Sequence, residues 1–245
     1  MAVRSANCTT KWGMIIFKEY HPHLDAEVCF LKRVVPQASQ PGRSLKSMKK
    51  SKLNTERIKH IPAVFLDRDG TIIEDRGYLS NSSQVVFFKK TVSSLRRLSA
   101  HFALFIVTNQ SGVAKGTLSL QDVKRVNSYI VSYLARHGIP LLATYVCPHE
   151  RVSACQCIKP NPYFLKKAER DFGIDLSRSF VIGDHPHDVE LAKNAGANAI
   201  YLLSGHGMKH RDDISKDTEI ASGIHDATEI ILEWLTKTQK IENNQ

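Results

Sequence analysis

From Ile61 onward the chain alternates short apolar runs with stretches of helical spacing, and most of the runs close on a polar cluster. Ile61 to Leu66 is the first run and carries no charge. A strand covered on both faces reads this way, because neither face of its pleat can be polar. Thr91 to Ala100 follows, with Val92, Leu95 and Leu98 at the spacing of one helix face. Phe102 to Val107 predicts a second strand. Ser119 to His137 predicts a long helix, with Ser119 as N-cap and Gly138 just past the end. Ala143 to Val146, Phe180 to Ile182 and Ala199 to Leu203 supply three more strands. Tyr163 to Phe172, His187 to Ala195 and the amphipathic Ile224 to Thr236 supply three more helices, with Trp234 expected to pack beside Ile230 and Ile231. Such alternation implies parallel βαβ units, so the expected fold is α/β, a Rossmann-like parallel sheet with helices on both faces. Sheets of this kind gather their chemistry at the carboxyl ends of the strands.

Charge locates the part of the chain that this pattern does not reach. The formal net charge is +10, which invites a nucleic-acid partner. Residues 1–60 hold twelve Lys or Arg against four Asp or Glu, a net of +8, which leaves +2 for everything after them. The basic character therefore belongs to an extension, and nucleic acid is not expected at the folded part. The expected organisation is a basic, disordered extension over 1–59 and one domain over 60–240. Ser39 to Lys59 reads as a mobile tail, and Met48 as the natural start. No apolar run approaches the roughly 18 residues of a membrane span, and Met1 to Cys8 lacks the apolar core of a signal peptide. The expected setting is the cytoplasm, with no membrane partner. Oligomeric state leaves no signature.

The ends of the apolar runs carry the chemistry. The first closes on Asp67-Arg68-Asp69-Gly70-Thr71. Two acids that turn toward one cavity repel unless a cation lies between them, and magnesium favours such oxygens. Alone, the pair reads equally well as an Asp-rich turn. Four other clusters change that: Thr108-Asn109-Gln110-Ser111-Gly112 after the second strand, Lys159 before Pro160, Gly183-Asp184 after the fourth strand, and Asp188 four residues later.

In this order the clusters resemble those of the haloacid dehalogenase superfamily of phosphohydrolases, over roughly residues 60 to 205. The resemblance implies that Asp67 is a nucleophile forming an aspartyl-phosphate. Asp69 would protonate the leaving oxygen and then activate water. Asp67, the backbone carbonyl of Asp69, and Asp184 would hold magnesium. Thr108 and Lys159 would bind phosphate oxygens, and Asp188 would orient the loop by a hydrogen bond.

A second constellation lies between the third strand and Lys159. Cys147-Pro148-His149 is followed after five residues by Cys155-Gln156-Cys157. Three thiolates and one imidazole satisfy a tetrahedral zinc, and a site filled entirely by protein is structural. Free cysteines with a chance disulfide are the plainer reading, disfavoured by the compact spacing.

The cluster narrows the resemblance to the group of histidinol-phosphate phosphatase and D,D-heptose 1,7-bisphosphate phosphatase, which lack a large cap domain, as this chain does. Asp75-Arg76-Gly77-Tyr78 and Thr108 to Gly112 look most like the heptose enzyme, which makes Asp75, Tyr78, Asn109 and Ser111 candidates for substrate contact. The short zinc loop looks more like the histidinol enzyme. Two positions depart from the group: Ile158 stands where Arg is usual, and His185 where Lys or Arg is usual. Ile158 cannot replace a guanidinium's donors; a protonated His185 would cover part of the lost charge. His187 is expected to touch substrate or serve as plain loop, and His206 and His210 to be surface residues.

The expected function is a magnesium-dependent phosphatase of a small sugar phosphate, D-glycero-D-manno-heptose 1,7-bisphosphate first and histidinol phosphate second. A nucleic-acid 3′-phosphatase fits the near-neutral domain poorly, and a non-catalytic binding module fits poorly with the intact acids.

Overall fold

The computed structural model describes residues 61–243 together with the strand Ile15–Phe17. The expectations for Ser39 to Lys59 and for a start at Met48 lie outside the described residues.

Seven strands form one sheet in the order β1-β4-β3-β2-β5-β6-β7. They are β1 (Ile15–Phe17), β2 (Ile61–Leu66), β3 (Ala103–Asn109), β4 (Ala143–Cys147), β5 (Ile174–Gly183), β6 (Asn198–Leu202) and β7 (Glu219–Ala221). All neighbours are parallel except β1, which runs antiparallel along the edge of β4. Five helices accompany them: α1 (Thr91–Leu98), α2 (Leu120–Arg136), α3 (Tyr163–Phe172), α4 (Pro186–Ala195) and α5 (Ile224–Asn243).

β2 lies between β3 and β5, and its last four residues are fully buried. The period-2 pleat then divides the core in two. Val64 and Leu66 face one cluster, closed by Leu95 of α1, Ile130 of α2 and Ile231 of α5. Ala63 and Phe65 face the other, closed by Phe164 of α3 and Leu191 of α4. This second face carries a row of stacked rings. Phe105 lies 5.0 Å from Phe65 and 5.9 Å from Tyr145, and Tyr145 lies 4.9 Å from Phe164. On the first face Trp234 meets Phe180 edge to face at 5.1 Å, as its place in the terminal helix led one to expect.

Local chemistry sets the boundaries. Ser119 Oγ accepts from the Asp122 N–H at 3.1 Å, and the Asp122 carboxylate accepts from the Ser119 N–H at 3.0 Å, a reciprocal cap that starts α2 where the sequence placed it. The structure extends three expectations. β5 begins at Ile174 rather than Phe180, because Ile174 and Leu176 alternate with polar residues and only every other side chain is buried. The register of β2 on β5 shifts between Pro62 and Val64, and the Ala63 N–H left over donates to Ser179 Oγ at 2.9 Å. β7 has three residues, two of them exposed, too few for a periodic signal. No element was expected before Ile61, yet Ile15–Phe17 pair with β4. Among the described residues no helix is long and apolar enough to cross a membrane.

The parallel arrangement brings the carboxyl ends of β2, β3, β4, β5 and β6 to one edge, which is the structural reason a site forms there. The ring row predicts the cost of opening the core. Phe105→Ala should lower unfolding stability by about 3–5 kcal/mol in chemical denaturation; a loss under about 1 kcal/mol would show that the row is not a supporting element.

Candidate active site

Asp67 follows directly on β2, its N–H donating to the Ile182 carbonyl of β5 at 2.9 Å. The chain then turns through Gly70 at φ +78°, where a Cβ would lie 2.1 Å from Asp184 Oδ2. Only glycine allows both the turn and that approach. Asp184 arrives from the end of β5, and Asp67, Asp184 and Asp188 present oxygens within 4.8 Å of one another. Lys159 lies among them, its Nζ 2.5 Å from Asp67 Oδ1 and 2.7 Å from Asp188 Oδ1. Asp188 also accepts from the His185 N–H at 3.3 Å, so it orients the start of α4 as the sequence suggested.

Three carboxylates against one ammonium leave a formal charge of −2 in a buried place, the charge that one divalent cation balances. The same crowding shifts the protonation of these groups. Burial, then the charge of Asp188, pushes the Asp67 carboxyl up to about 6 in spite of Lys159. Burial and Asp67 push Asp184 up to about 8. Lys159 is raised as well, which for an ammonium favours the charged form. Burial alone would lower it, but Asp188 and Asp67 hold it charged, well above the ordinary lysine value. An oxygen-lined, negatively charged cluster of this kind suits magnesium.

Asp69 follows two residues after Asp67. Its carboxylate accepts from Arg68 Nε at 2.9 Å, from Arg68 Nη2 at 3.0 Å and from Gln110 Nε2 at 2.9 Å. Gln110 Nε2 also donates to Thr108 Oγ1 at 2.9 Å, which leaves the threonine's own proton free for another acceptor. Asn109 Oδ1 accepts from the Lys159 N–H at 3.3 Å. These groups line a cavity of about 270 Å³ that also reaches Asp75, Tyr78, Ser111 and His185. Every residue assigned from sequence to phosphate, substrate or magnesium therefore faces one cavity.

The histidines add to the sequence reading. His206 is exposed, as expected, but it also reaches the site. Its N–H donates to Asp184 Oδ2 at 2.7 Å, and its ring Nε2 lies 2.8 Å from Asp75 Oδ2. Gly205, at φ +51°, makes room for this loop, since a Cβ there would lie 2.1 Å from Asp184 Oδ2. The signal was available as Ser204-Gly205-His206 just past the last long strand, but without a carboxylate it did not stand out. His210 is half-buried, with its ring 4.9 Å from that of His185. His185 stands where a basic residue is usual, but its surroundings disfavour its charged form. Burial, then His187 and His210, lowers its imidazole to about 4, so it is neutral near pH 7. Arg151, which the sequence did not single out, brings a guanidinium to the cavity edge, 2.8 Å from His187 Nδ1 and facing an adjoining chamber lined by Lys115, Glu150 and Ile158.

The cysteine cluster is assembled at the end of β4. Cys147 Sγ lies 3.5 Å from Cys155 Sγ and 3.3 Å from Cys157 Sγ, and the latter two are 3.7 Å apart. His149 Nδ1 lies 3.8 Å from Cys147 Sγ and 3.4 Å from Cys157 Sγ. Zinc bonds of roughly 2.3 Å to sulfur and 2.0–2.1 Å to nitrogen give tetrahedral edges of about 3.6–3.8 Å. The thiols are free of disulfides, and two of the three are buried.

Comparison with known proteins agrees with this geometry. A family model described as HAD-hydrolase-like matches residues 156–227. The D-glycero-beta-D-manno-heptose-1,7-bisphosphate 7-phosphatase of Yersinia pestis is 35% identical over 150 residues, 57% of this chain and 80% of that protein. The protein of the same name from Photorhabdus laumondii is 37% identical over 140 residues, 54% of this chain and 74% of that one. Among solved structures, D,D-heptose 1,7-bisphosphate phosphatase from B. bronchiseptica, complexed with magnesium and phosphate, superposes with a TM-score of 0.66 at 24% identity, covering 71% of this chain and 99% of that one.

The raised carboxyls fix the sign of a pH effect. Unfolded, both acids titrate at the ordinary 3.8; folded, they hold their protons to about 6 and about 8. Between roughly pH 4 and pH 8 the folded chain binds more protons, so without a cation these groups contribute stability at low pH that is lost as pH rises. Magnesium should therefore raise the melting temperature more at pH 8 than at pH 5, by at least about 3 °C in calorimetry. An equal shift at both would mean that the carboxylates are not crowded.

Proposed function

The chain belongs to the D-glycero-D-manno-heptose-1,7-bisphosphate 7-phosphatase family of HAD-like hydrolases, and on that premise we propose that it removes one phosphate from that heptose bisphosphate through an aspartyl-phosphate on Asp67. The observation that carries this reading is the buried cluster of Asp67, Asp184 and Asp188 around Lys159, with its uncompensated charge of −2.

In the first half-reaction an Asp67 oxygen bonds to phosphorus and the bond from phosphorus to the sugar oxygen breaks. Asp69 gives its proton to that oxygen, so the sugar leaves as a neutral alcohol. In the second, Asp69 takes a proton from water, the water oxygen bonds to phosphorus, and the bond to Asp67 breaks. Inorganic phosphate departs and Asp67 is regenerated. Lys159 and the free hydroxyl proton of Thr108 hold phosphate oxygens throughout. Magnesium, held by Asp67, Asp184 and the backbone carbonyl of Asp69, would neutralise the charge that otherwise keeps an anionic ester away. Asn109 fixes the backbone that delivers Lys159, while Asp75, Tyr78, Ser111 and His185 border the sugar. Tyr78 packs over Gly112, where a Cβ would lie 2.6 Å from its ring.

The second phosphate needs its own cation, and Ile158 offers none. Arg151 and Lys115 border the adjoining chamber together with Glu150, which leaves a formal charge of +1 there. That excess favours a second phosphate over a cationic end.

Zinc, held by Cys147, His149, Cys155 and Cys157, would have a structural task. Cys157 stands two residues before Lys159, so a pinned loop fixes both the lysine and Arg151.

A phosphate-release assay with magnesium should show turnover of the heptose bisphosphate, and Asp67→Asn should reduce it by roughly 10³-fold or more. Wild-type turnover in that variant would remove the proposed nucleophile. Metal analysis of the purified protein should find about one zinc per chain, lost in Cys157→Ser together with thermal stability. A stable protein free of zinc would dismiss the structural metal.

A further inference from the structure

We propose that Asn127, on α2 and not among the residues that line the cavity, is a positioning residue that fixes the carboxyl of Asp69 through the buried guanidinium of Arg68. The inference rests on the reading of Asp69 as the acid that protonates the leaving oxygen.

Arg68 is 1% exposed, the largest fully buried side chain among the described residues. Its planar fork is split between two partners. Nε and Nη2 donate to the two oxygens of Asp69 at 2.9 and 3.0 Å, and Nη1 donates to Asn127 Oδ1 at 2.8 Å. Because the guanidinium is rigid, fixing one nitrogen fixes the direction of the others. Asn127 is itself 2% exposed, on the helix that packs Val126 and Ile130 into the core. The oxygen of one amide thus sets the plane of the fork, and the fork sets both oxygens of Asp69. Gln110 adds a donor to Oδ2 but does not reach Oδ1.

The other end of Asn127 strengthens the case. Its Nδ2 is buried and has no hydrogen-bond partner among the described residues. An unpaired buried donor carries a cost, so helix packing alone does not account for an amide there. Its oxygen is the atom in use.

General-acid help depends on the leaving group. A sugar alkoxide needs the proton; p-nitrophenolate leaves without it. The experiment is kcat/KM for the heptose bisphosphate and for p-nitrophenyl phosphate, measured with magnesium in the full-length wild type, Asn127→Ala, Asn127→Asp and Asp69→Asn. The ratio of the two values in one preparation does not depend on how much of it is folded. Asp69→Asn should lower the ratio by roughly 10² or more. Asn127→Ala should lower it by roughly 10-fold, while Asn127→Asp, which keeps an acceptor for Nη1, should return it to within about 3-fold of wild type. If Asp69→Asn shifts the ratio and Asn127→Ala does not, the relay is wrong and the acid assignment stands. If Asp69→Asn leaves the ratio unchanged, the acid assignment falls and takes the relay with it.

Discussion

Lys159 lies buried between Asp67 and Asp188, and its ammonium lets three carboxylates gather within 4.8 Å of one another. Without it the cluster would not tolerate a folded state in which all three are charged. With it, the charge that remains is small enough for one divalent cation. The rest of the molecule can be understood as the means of bringing these groups together. Parallel strands deliver Asp67 and Asp184 side by side, and Gly70 and Gly205 leave the space in which the Asp184 carboxylate stands. The Cys157-Ile158-Lys159 segment brings in the ammonium from the other side of β3.

The two clusters follow different logic. The carboxylate cluster is open to a cavity and short of positive charge. The thiol cluster places four protein donors at separations near the edges of a zinc tetrahedron. The first faces the cavity; the second brackets the loop that carries Arg151 and leads on to Lys159. Arg151 shows how a loop can bring a cation to a cavity edge from a different direction: Ile158 offers none, and the loop between Cys147 and Cys155 carries a guanidinium there.

Much of this was legible before any coordinates. Ile61–Leu66 reads as a buried strand because both pleat faces must be apolar, and β2 has those bounds. Ser119 with Asp122 reads as a cap, and α2 starts there. Asp67, Asp69, Thr108 and Asp184 stand at or just past strand ends, where a parallel sheet collects chemistry, and Lys159 stands in the loop that follows β4. β1 and β7 were not legible, because three residues on a sheet edge carry no usable period. Nor was the role of His206, which acts on Asp184 through its backbone N–H, a group that every residue but proline carries. The protonation of His185 was not legible for a related reason. Its pKa is set by burial and by His187 and His210, which the sequence does not place around it.

The amino-acid sequence by itself determined the order of strands and helices, the residues at the strand ends and the four ligands of the cysteine cluster. Each is encoded locally, by hydrophobic period or by residue spacing. Only the tertiary structure decided what those residues do to one another. The pairing of Lys159 with Asp67 spans 92 residues and that of Arg68 with Asn127 spans 59. Distances, burial and protonation are properties of groups brought together across the sheet, and no local pattern carries them.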